Sequence, residues 1–284
     1  MRKLRVDARP AIYPQKKEYV ADFWDFVRSN SEHDRYANDV RVWQLRMRMG
    51  GHSEVSYGHA FTNWWRLYGK THPEFFALKS DGKREPEMMK SDKAIYTADN
   101  PRGFQNIKLC PSNPGVVQQI VANWLAAGKR TKFINVCEND SPPVNFCTCD
   151  ACRALDVPDA GDKGKAFAHY TDRYIHLANA VAREARKHDP EAGAIIYAYN
   201  ESEQPPRRER VDANVMIAIV PTTADLKELD ALLGGWSRAG AKKMLIRPNL
   251  LGYYATTMMP MGFERQMFDV FQLARKHGAI AADY

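Results

Sequence analysis

The sequence lacks the features that mark several large classes of protein. No apolar run approaches the roughly 18 residues that a membrane-spanning helix needs. The basic start of the chain is not followed by the apolar stretch of a secretory signal. We find no internal repeat and no low-complexity tract. These absences predict a globular domain with no membrane span, and the chain could be a fragment of a longer protein.

The charge balance is basic but not concentrated. Lys and Arg total 41 against 34 Asp and Glu, which gives a net charge of +7 and a pI of about 9.1. The basic residues are scattered, with short clusters at 2–5, 207–210 and 242–243. A nucleic-acid surface usually concentrates Lys and Arg on one face or helix. We therefore predict a solvated surface and no nucleic-acid partner.

From about residue 114 onward, helical and strand patterns alternate. The predicted helices carry apolar stripes at spacings of three and four. The predicted strands are short and mostly apolar throughout, as expected when both faces of a sheet are buried. They cover 132–137, 194–199, 215–220, 244–246 and the residues from 279 onward. Strands alternating with helices of this length predict a parallel α/β sheet.

Two architectures fit this alternation, a (β/α) barrel and a doubly wound open sheet. No G-x-G-x-x-G follows a strand and no Walker motif is present. The sequence therefore lacks the main evidence for a nucleotide-binding open sheet. We therefore predict a TIM-like (β/α) barrel over residues 40–284, after a helical or extended segment at 1–39. The barrel is either incomplete or carries a long decorated connection over residues 50–110.

Polar side chains follow nearly every predicted strand. The active site of a parallel barrel lies at the C-terminal ends of its strands, so these side chains would meet at one rim. The candidates are Arg46, Glu138, Asn139, Asp140, Glu201, Arg247, Asn249 and Asp283. Their recurrence predicts a polar substrate site.

Carboxylates that converge in a cleft suit the cleavage of glycosidic bonds. Glu138 and Asp140 lie two residues apart, a spacing that points both side chains the same way in an extended segment. Their repulsion would raise one pKa, as a general acid requires. An alternative is that Asp140 caps the following turn. We predict Glu138, Asp140 and Glu201 as catalytic residues, with Glu138 as the acid.

The segment 57–73 is rich in aromatic residues and histidine. Aromatic faces can stack on sugars, so we predict His59 and Trp64 as substrate-binding residues, together with Tyr199 at the end of its strand. Trp65 and Tyr68 lie at helical spacing with their aromatic neighbours, which favours packing instead.

Cys147, Cys149 and Cys152 form a C-x-C-x-x-C pattern. A metal knuckle of this kind needs a fourth thiolate or a histidine, and no second C-x-x-C follows. Cys110 and Cys137 lie elsewhere, and the odd total of five leaves at least one thiol unpaired if disulfides form. We predict that the three cysteines cluster in one loop, as reduced or disulfide-paired packing rather than as a metal site, and that no cofactor is bound.

Five blocks of sequence occur in an order that resembles a known family. They are 64–74 (WWRLYGKTHPE), 109–114 (LCPSNP), 136–140 (VCEND) with 147–156 (CTCDACRALD), 197–199 (YAY) with Pro205-Pro206, and 247–249 (RPN). The set resembles a bacterial domain-of-unknown-function family associated with polysaccharide and glycan breakdown. Some of its members are classed with glycoside hydrolase family 163, endo-β-N-acetylglucosaminidases that act on N-glycans.

This resemblance implies a barrel-type catalytic domain, a carbohydrate substrate, no obligatory cofactor and an exported or periplasmic parent protein. In related acetamido-sugar hydrolases the acetamide of the substrate attacks the anomeric carbon. Glu138 would then be the acid, and a neighbouring carboxylate would orient the acetamide. The alternative is a non-catalytic carbohydrate-binding domain.

Overall fold

A computed structural model describes residues 4–5, 55–85, 108–139, 145–158, 169–223, 225–248 and 264–283. These residues form an α/β structure around one parallel sheet of six strands. The strands are β1 (Leu4–Arg5), β2 (Phe133–Asn135), β3 (Gly193–Ala198), β4 (Val215–Ile219), β5 (Lys243–Ile246) and β6 (Ala279–Asp283). Their order in the sheet is β1-β6-β5-β4-β3-β2. The predicted parallel arrangement of the last five strands is confirmed.

Helices precede or connect most of the strands, as the apolar stripes predict, and the connection from β3 to β4 contains only a 3-10 turn. The helices are α1 (Trp64–Tyr68), α2 (Pro114–Ala126), α3 (Asp150–Ala154), α4 (Thr171–Ala185), α5 (Leu226–Arg238) and α6 (Glu264–Lys276), with 3-10 turns at Pro73–Phe75 and Asn200–Ser202. The side chain of Asp225 caps α5 by accepting hydrogen bonds from the amides of Lys227 and Glu228. In the described part of the chain, no helix has both the length and the apolar character needed to cross a membrane.

The alternation of side chains along the strands separates two apolar clusters on opposite faces of the sheet. The larger cluster contains Ala194 and Ile196 of β3 and packs against Leu177 and Val181 of α4. The smaller cluster contains Ile195 of β3. Its other buried members are Phe133, Met216, Ala218 and Leu245. Because both faces are covered, the strands are apolar at nearly every position.

Barrel closure is not shown, although the α/β class is confirmed. Among the described residues β1 pairs with β6 and β2 pairs with β3, and no pairing of β1 with β2 closes the sheet. The strand predicted at 40–45, with Arg46 at its end, lies outside the described residues, as does the boundary predicted at residue 39. Through β1, the segment 1–39 contributes to the same sheet as the rest of the chain.

Gly193 begins β3 at a point where there is no room for a side chain. A Cβ at this position would lie 2.0 Å from the carbonyl oxygen of Asn214 and 3.0 Å from the ring of Phe133. We expect Gly193→Ala to lower the free energy of unfolding by about 1–3 kcal/mol, because the strand must shift to relieve the overlap. Urea denaturation of the variant and the parent measures this loss.

Gly128 provides the control, because a Cβ there would meet nothing within 4 Å. Gly128→Ala should change the free energy of unfolding by no more than about 0.5 kcal/mol. Equal stability of the two variants would contradict the close approach of Asn214 to β3.

Candidate functional site

A small polar pocket lies beyond the C-terminal ends of β2 and β3. Glu138 follows the end of β2, and Glu201 follows the end of β3, so the sheet brings the two predicted catalytic residues together as expected for parallel strands. The lining residues are Lys108, Glu138, Asn139, Tyr174, Ile196, Tyr197, Tyr199, Glu201 and Ser202. The space they enclose accommodates a water molecule but not a sugar ring.

The carboxylate of Glu138 is buried. Neither oxygen has a hydrogen-bond partner of ordinary geometry among the described residues. Burial is the largest of several influences on the pKa of Glu138 and raises it to about 7. The charge of Lys108 lowers this pKa, and the charge of Glu201 raises it. A carboxyl group of this kind can hold a proton near neutral pH.

The cause of the raised pKa differs from the one that the sequence predicts. The prediction invoked repulsion from Asp140, which lies outside the described residues. The larger influence is the removal of Glu138 from water, which a spacing of two residues does not reveal. The raised pKa expected of a general acid is therefore present, with desolvation as its main source.

Lys108 is the charged residue of the pocket that the sequence analysis missed. Its ammonium group donates a hydrogen bond to Glu201 Oε1 at 2.6 Å, and its side chain is 3% exposed. The same ammonium lies 5.1 Å from the ring centroid of Phe146 and 5.5 Å from that of Tyr174. The aromatic faces and the carboxylate together compensate for the loss of water around the charge.

His59 and Asn139 fix the backbone around Glu138. His59 Nδ1 lies 2.9 Å from the carbonyl oxygen of Glu138, and the amide of Phe61 donates to Asn139 Oδ1 at 3.2 Å. The amide of Ala60 donates to the carbonyl of Cys137. The loop before α1 is therefore held against the strand end that carries Glu138, with the His59 side chain at the surface.

Two tyrosines that line the pocket, together with an arginine that contacts one of them, are called the rim here. Tyr197 and Tyr199 project from the end of β3, with ring centroids 6.5 Å apart. Arg247, which follows β5, donates to the hydroxyl of Tyr197 at 3.3 Å. The ring of Tyr197 also meets the edge of Tyr57. Tyr197 was not predicted as a site residue, because its place inside an apolar strand favours packing.

The predicted role of Trp64 requires correction. Trp64 is 7% exposed and packs against the rings of Phe61, Tyr68 and Phe75, so it belongs to the core and not to the rim. Trp65 contacts the ring of Phe76, as its helical spacing predicts. The remaining predicted residues Arg46, Asp140 and Asn249, and the side chain of Asp283, lie outside what the structure describes.

A second cluster of functional side chains lies near the pocket. The sulfurs of Cys110, Cys147, Cys149 and Cys152 all lie within 4.8 Å of one another, so the predicted clustering of the last three includes a fourth member from far upstream. The pKa of Cys110 is lowered to about 3, because the thiols of Cys147 and Cys152 donate to it. Cys137 stands apart, and burial raises its pKa to about 12.

The chain belongs to a family defined as a domain of unknown function, DUF4838, whose model matches residues 4–231. This confirms the resemblance to a domain-of-unknown-function family, and it assigns no activity. No curated protein and no solved structure has significant similarity to the chain. The chemistry of the pocket therefore rests on its own geometry.

Glu138 should make folding stability depend on pH. Its pKa in the folded protein lies above the ordinary glutamate value of about 4.5, so its protonated form contributes stability that is complete below about pH 4.5 and is lost as pH rises through about 7. The glutamine variant lacks this dependence. The stability of Glu138→Gln relative to the parent should therefore rise by roughly 3 kcal/mol as the pH goes from 5 to 8. Urea denaturation at both pH values tests this.

Glu191 provides the matched control, because its carboxylate is exposed and pairs with Lys132 on the surface. Glu191→Gln should show the same change in stability with pH as the parent. If Glu138→Gln also parallels the parent from pH 5 to pH 8, the raised pKa of Glu138 is wrong.

Removing only one residue of the Lys108–Glu201 ion pair should lower the free energy of unfolding. Removing one member of a buried ion pair leaves an uncompensated charge, so Lys108→Met should lower the free energy of unfolding by about 3–5 kcal/mol. The double variant Lys108→Met with Glu201→Gln should recover much of this loss. A double variant as unstable as the sum of its two single variants would indicate that the two residues do not interact.

Proposed function

We propose that the chain is a glycoside hydrolase in which Glu138 donates a proton to the leaving oxygen. The observation that carries this proposal is a buried carboxyl group with a pKa near 7 in the same pocket as a second carboxylate, Glu201. Most glycoside hydrolases use two carboxyl groups whose different surroundings give them different pKa values. The resemblance to glycoside hydrolase family 163 in blocks such as 136–140 supports the same reaction.

We also propose that the sheet closes into a (β/α) barrel. Strands β2 to β6 lie in the sheet in chain order, and β1 pairs with the last strand, as closure requires. Of the two apolar clusters that flank the sheet, the larger contains the helix side chains, whereas the smaller consists of strand and loop residues among those described. A barrel has its helices outside and strand side chains inside.

In this proposal the two carboxylates have different tasks. Glu138 begins the reaction protonated and gives its proton to the departing sugar oxygen. Glu201, paired with Lys108, supplies negative charge to the developing oxocarbenium ion, directly or by orienting the acetamide of an N-acetylated sugar. The loss of the proton from Glu138 then restores a carboxylate that can activate the attacking water.

The substrate would lie above the pocket rather than inside it. The enclosed space is of the size of a water molecule, so a sugar ring would rest on the rim formed by Tyr197, Tyr199 and Arg247. Tyrosine faces can stack against the C–H face of a sugar, and the arginine can donate to hydroxyl groups. We infer that the substrate is a glycan, bound across the C-terminal edge of the sheet.

A second candidate function is carbohydrate binding without cleavage. The enclosure of Glu138 favours it, because both carboxylate oxygens are shielded from solvent. In this alternative the same rim binds a glycan and the buried acid has no substrate to protonate. The two candidate functions are distinguished by whether the protein releases cleavage products from a glycan that it binds.

The experiment begins with the full chain and an N-glycosylated glycoprotein, with released glycans measured by mass spectrometry. Chitooligosaccharides that carry a good or a poor aryl leaving group then separate the roles of the carboxylates. We expect Glu138→Gln to lower kcat at least about 100-fold on the poor leaving group, and much less on the good one. We expect Glu201→Gln to impair both substrates alike.

The parent enzyme should also lose kcat as pH rises above about 7, because Glu138 must carry its proton at the start of the reaction. Glu191→Gln serves as the surface control and should keep parental rates. Retained glycan binding with no product from any substrate would favour the binding function. A fully active Glu138→Gln enzyme would remove Glu138 from the mechanism.

A further inference from the structure

We propose that Cys110, Cys147, Cys149 and Cys152 bind a single zinc ion. The four sulfurs converge from two separate segments of the chain, at Cys110 and at 147–152, and each offers one ligand atom. Four thiolates in a closed, tetrahedral arrangement are typical of structural zinc sites. The site is separate from the carboxylate pocket, and its existence does not depend on the proposed glycoside cleavage.

The distances between the sulfurs match one tetrahedral ion. Cys110 Sγ lies 3.7 Å from the sulfurs of Cys149 and Cys152, and Cys147 Sγ lies 3.6 Å from Cys110 and 3.4 Å from Cys149. With Zn–S bonds of about 2.3 Å, the sulfurs of a tetrahedral site are about 3.8 Å apart. The cluster therefore needs only a slight expansion to hold the ion.

Other thiol chemistries fit these distances less well. A disulfide requires its sulfurs to be about 2.05 Å apart, and all four cysteines are free. In an iron–sulfur cluster the four cysteines are divided among two or four irons, and sulfurs on different irons lie further apart than any two sulfurs of this cluster. A mononuclear ion with four sulfur ligands remains, and zinc is the usual occupant of such sites.

The surroundings of the cluster suit thiolate ligands. The amide of Leu78 donates to Cys147 Sγ at 3.3 Å, and the hydroxyl of Ser112 lies 3.1 Å from Cys152 Sγ. The guanidinium of Arg173, which is ion-paired with Asp156, donates to the carbonyl of Cys147 at 2.7 Å. Outer donors of this kind orient the ligands of metal sites.

The site would be structural rather than catalytic. Cys110, Cys147 and Cys152 are at most 4% exposed, and the four sulfurs leave no open coordination position for a substrate or water. The ion would join the segment at Cys110 to the loop at Cys147 and to α3, in addition to the hydrogen bonds that these elements already make with neighbouring segments. Helix α3 has five residues, too few to be stable without such support.

The test is the metal content of the full chain, purified without chelators and without a metal-affinity column. Inductively coupled plasma mass spectrometry should find one zinc per chain. Cys110→Ala and Cys152→Ala should each lower the zinc content at least tenfold. Cys137→Ala is the matched control, because Cys137 is equally buried and lies outside the cluster, and it should keep its zinc.

A second measurement does not depend on the variants remaining folded. X-ray absorption at the zinc edge of the unmodified protein should fit four sulfur ligands at about 2.3 Å. Mass spectrometry after alkylation of the unfolded, unreduced chain should find five free thiols. A chain without metal, a different metal in place of zinc, a mixed nitrogen or oxygen ligand set, or a disulfide among these cysteines would each overturn the proposal.

Discussion

The ammonium group of Lys108 is almost completely removed from water, and this buried charge constrains everything around it. A lysine at 3% exposure must have an anionic partner, and Glu201 supplies it at 2.6 Å. Glu201 follows β3, so the pair connects the segment before α2 to the edge of the sheet. Lys108 also lowers the pKa of Glu138 and Glu201 raises it, so the pair adjusts a pKa that is raised mainly by burial.

The short stretch from Lys108 to Asn113 links the pocket to the rest of the fold. Lys108 faces the carboxylates, and Leu109 is buried in the core beside Phe76. Cys110 enters the sulfur cluster, and Asn113 caps α2 by accepting a hydrogen bond from its first turn. A change in the sulfur cluster would therefore reach the pocket through two residues of backbone. The proposed zinc ion would hold this stretch in the position that the ion pair requires.

The sequence patterns predicted the sheet well because its strands are buried on both faces. The strand pattern at 194–199 needs no knowledge of its partners, since any doubly covered strand must be apolar. Lys108 and Cys110 could not be found in this way, because their importance arises from contacts with residues more than 35 positions away. The prediction that Trp64 binds substrate was wrong for a related reason. An aromatic residue has the same sequence signature in a core as in a sugar site, and burial alone distinguishes the two.

The assignment of Glu138 as the acid follows from the asymmetry between the two carboxylates. Glu201 has a cation within hydrogen-bond distance, whereas Glu138 has neither a direct cation nor a hydrogen-bond partner of ordinary geometry among the described residues. Desolvation therefore favours the neutral form of Glu138, whereas the carboxylate of Glu201 forms an ion pair with Lys108. The acid is thus selected chiefly by the burial of Glu138 and by the absence of a direct cation beside it in the described part of the chain, rather than by the spacing of acidic residues in the sequence.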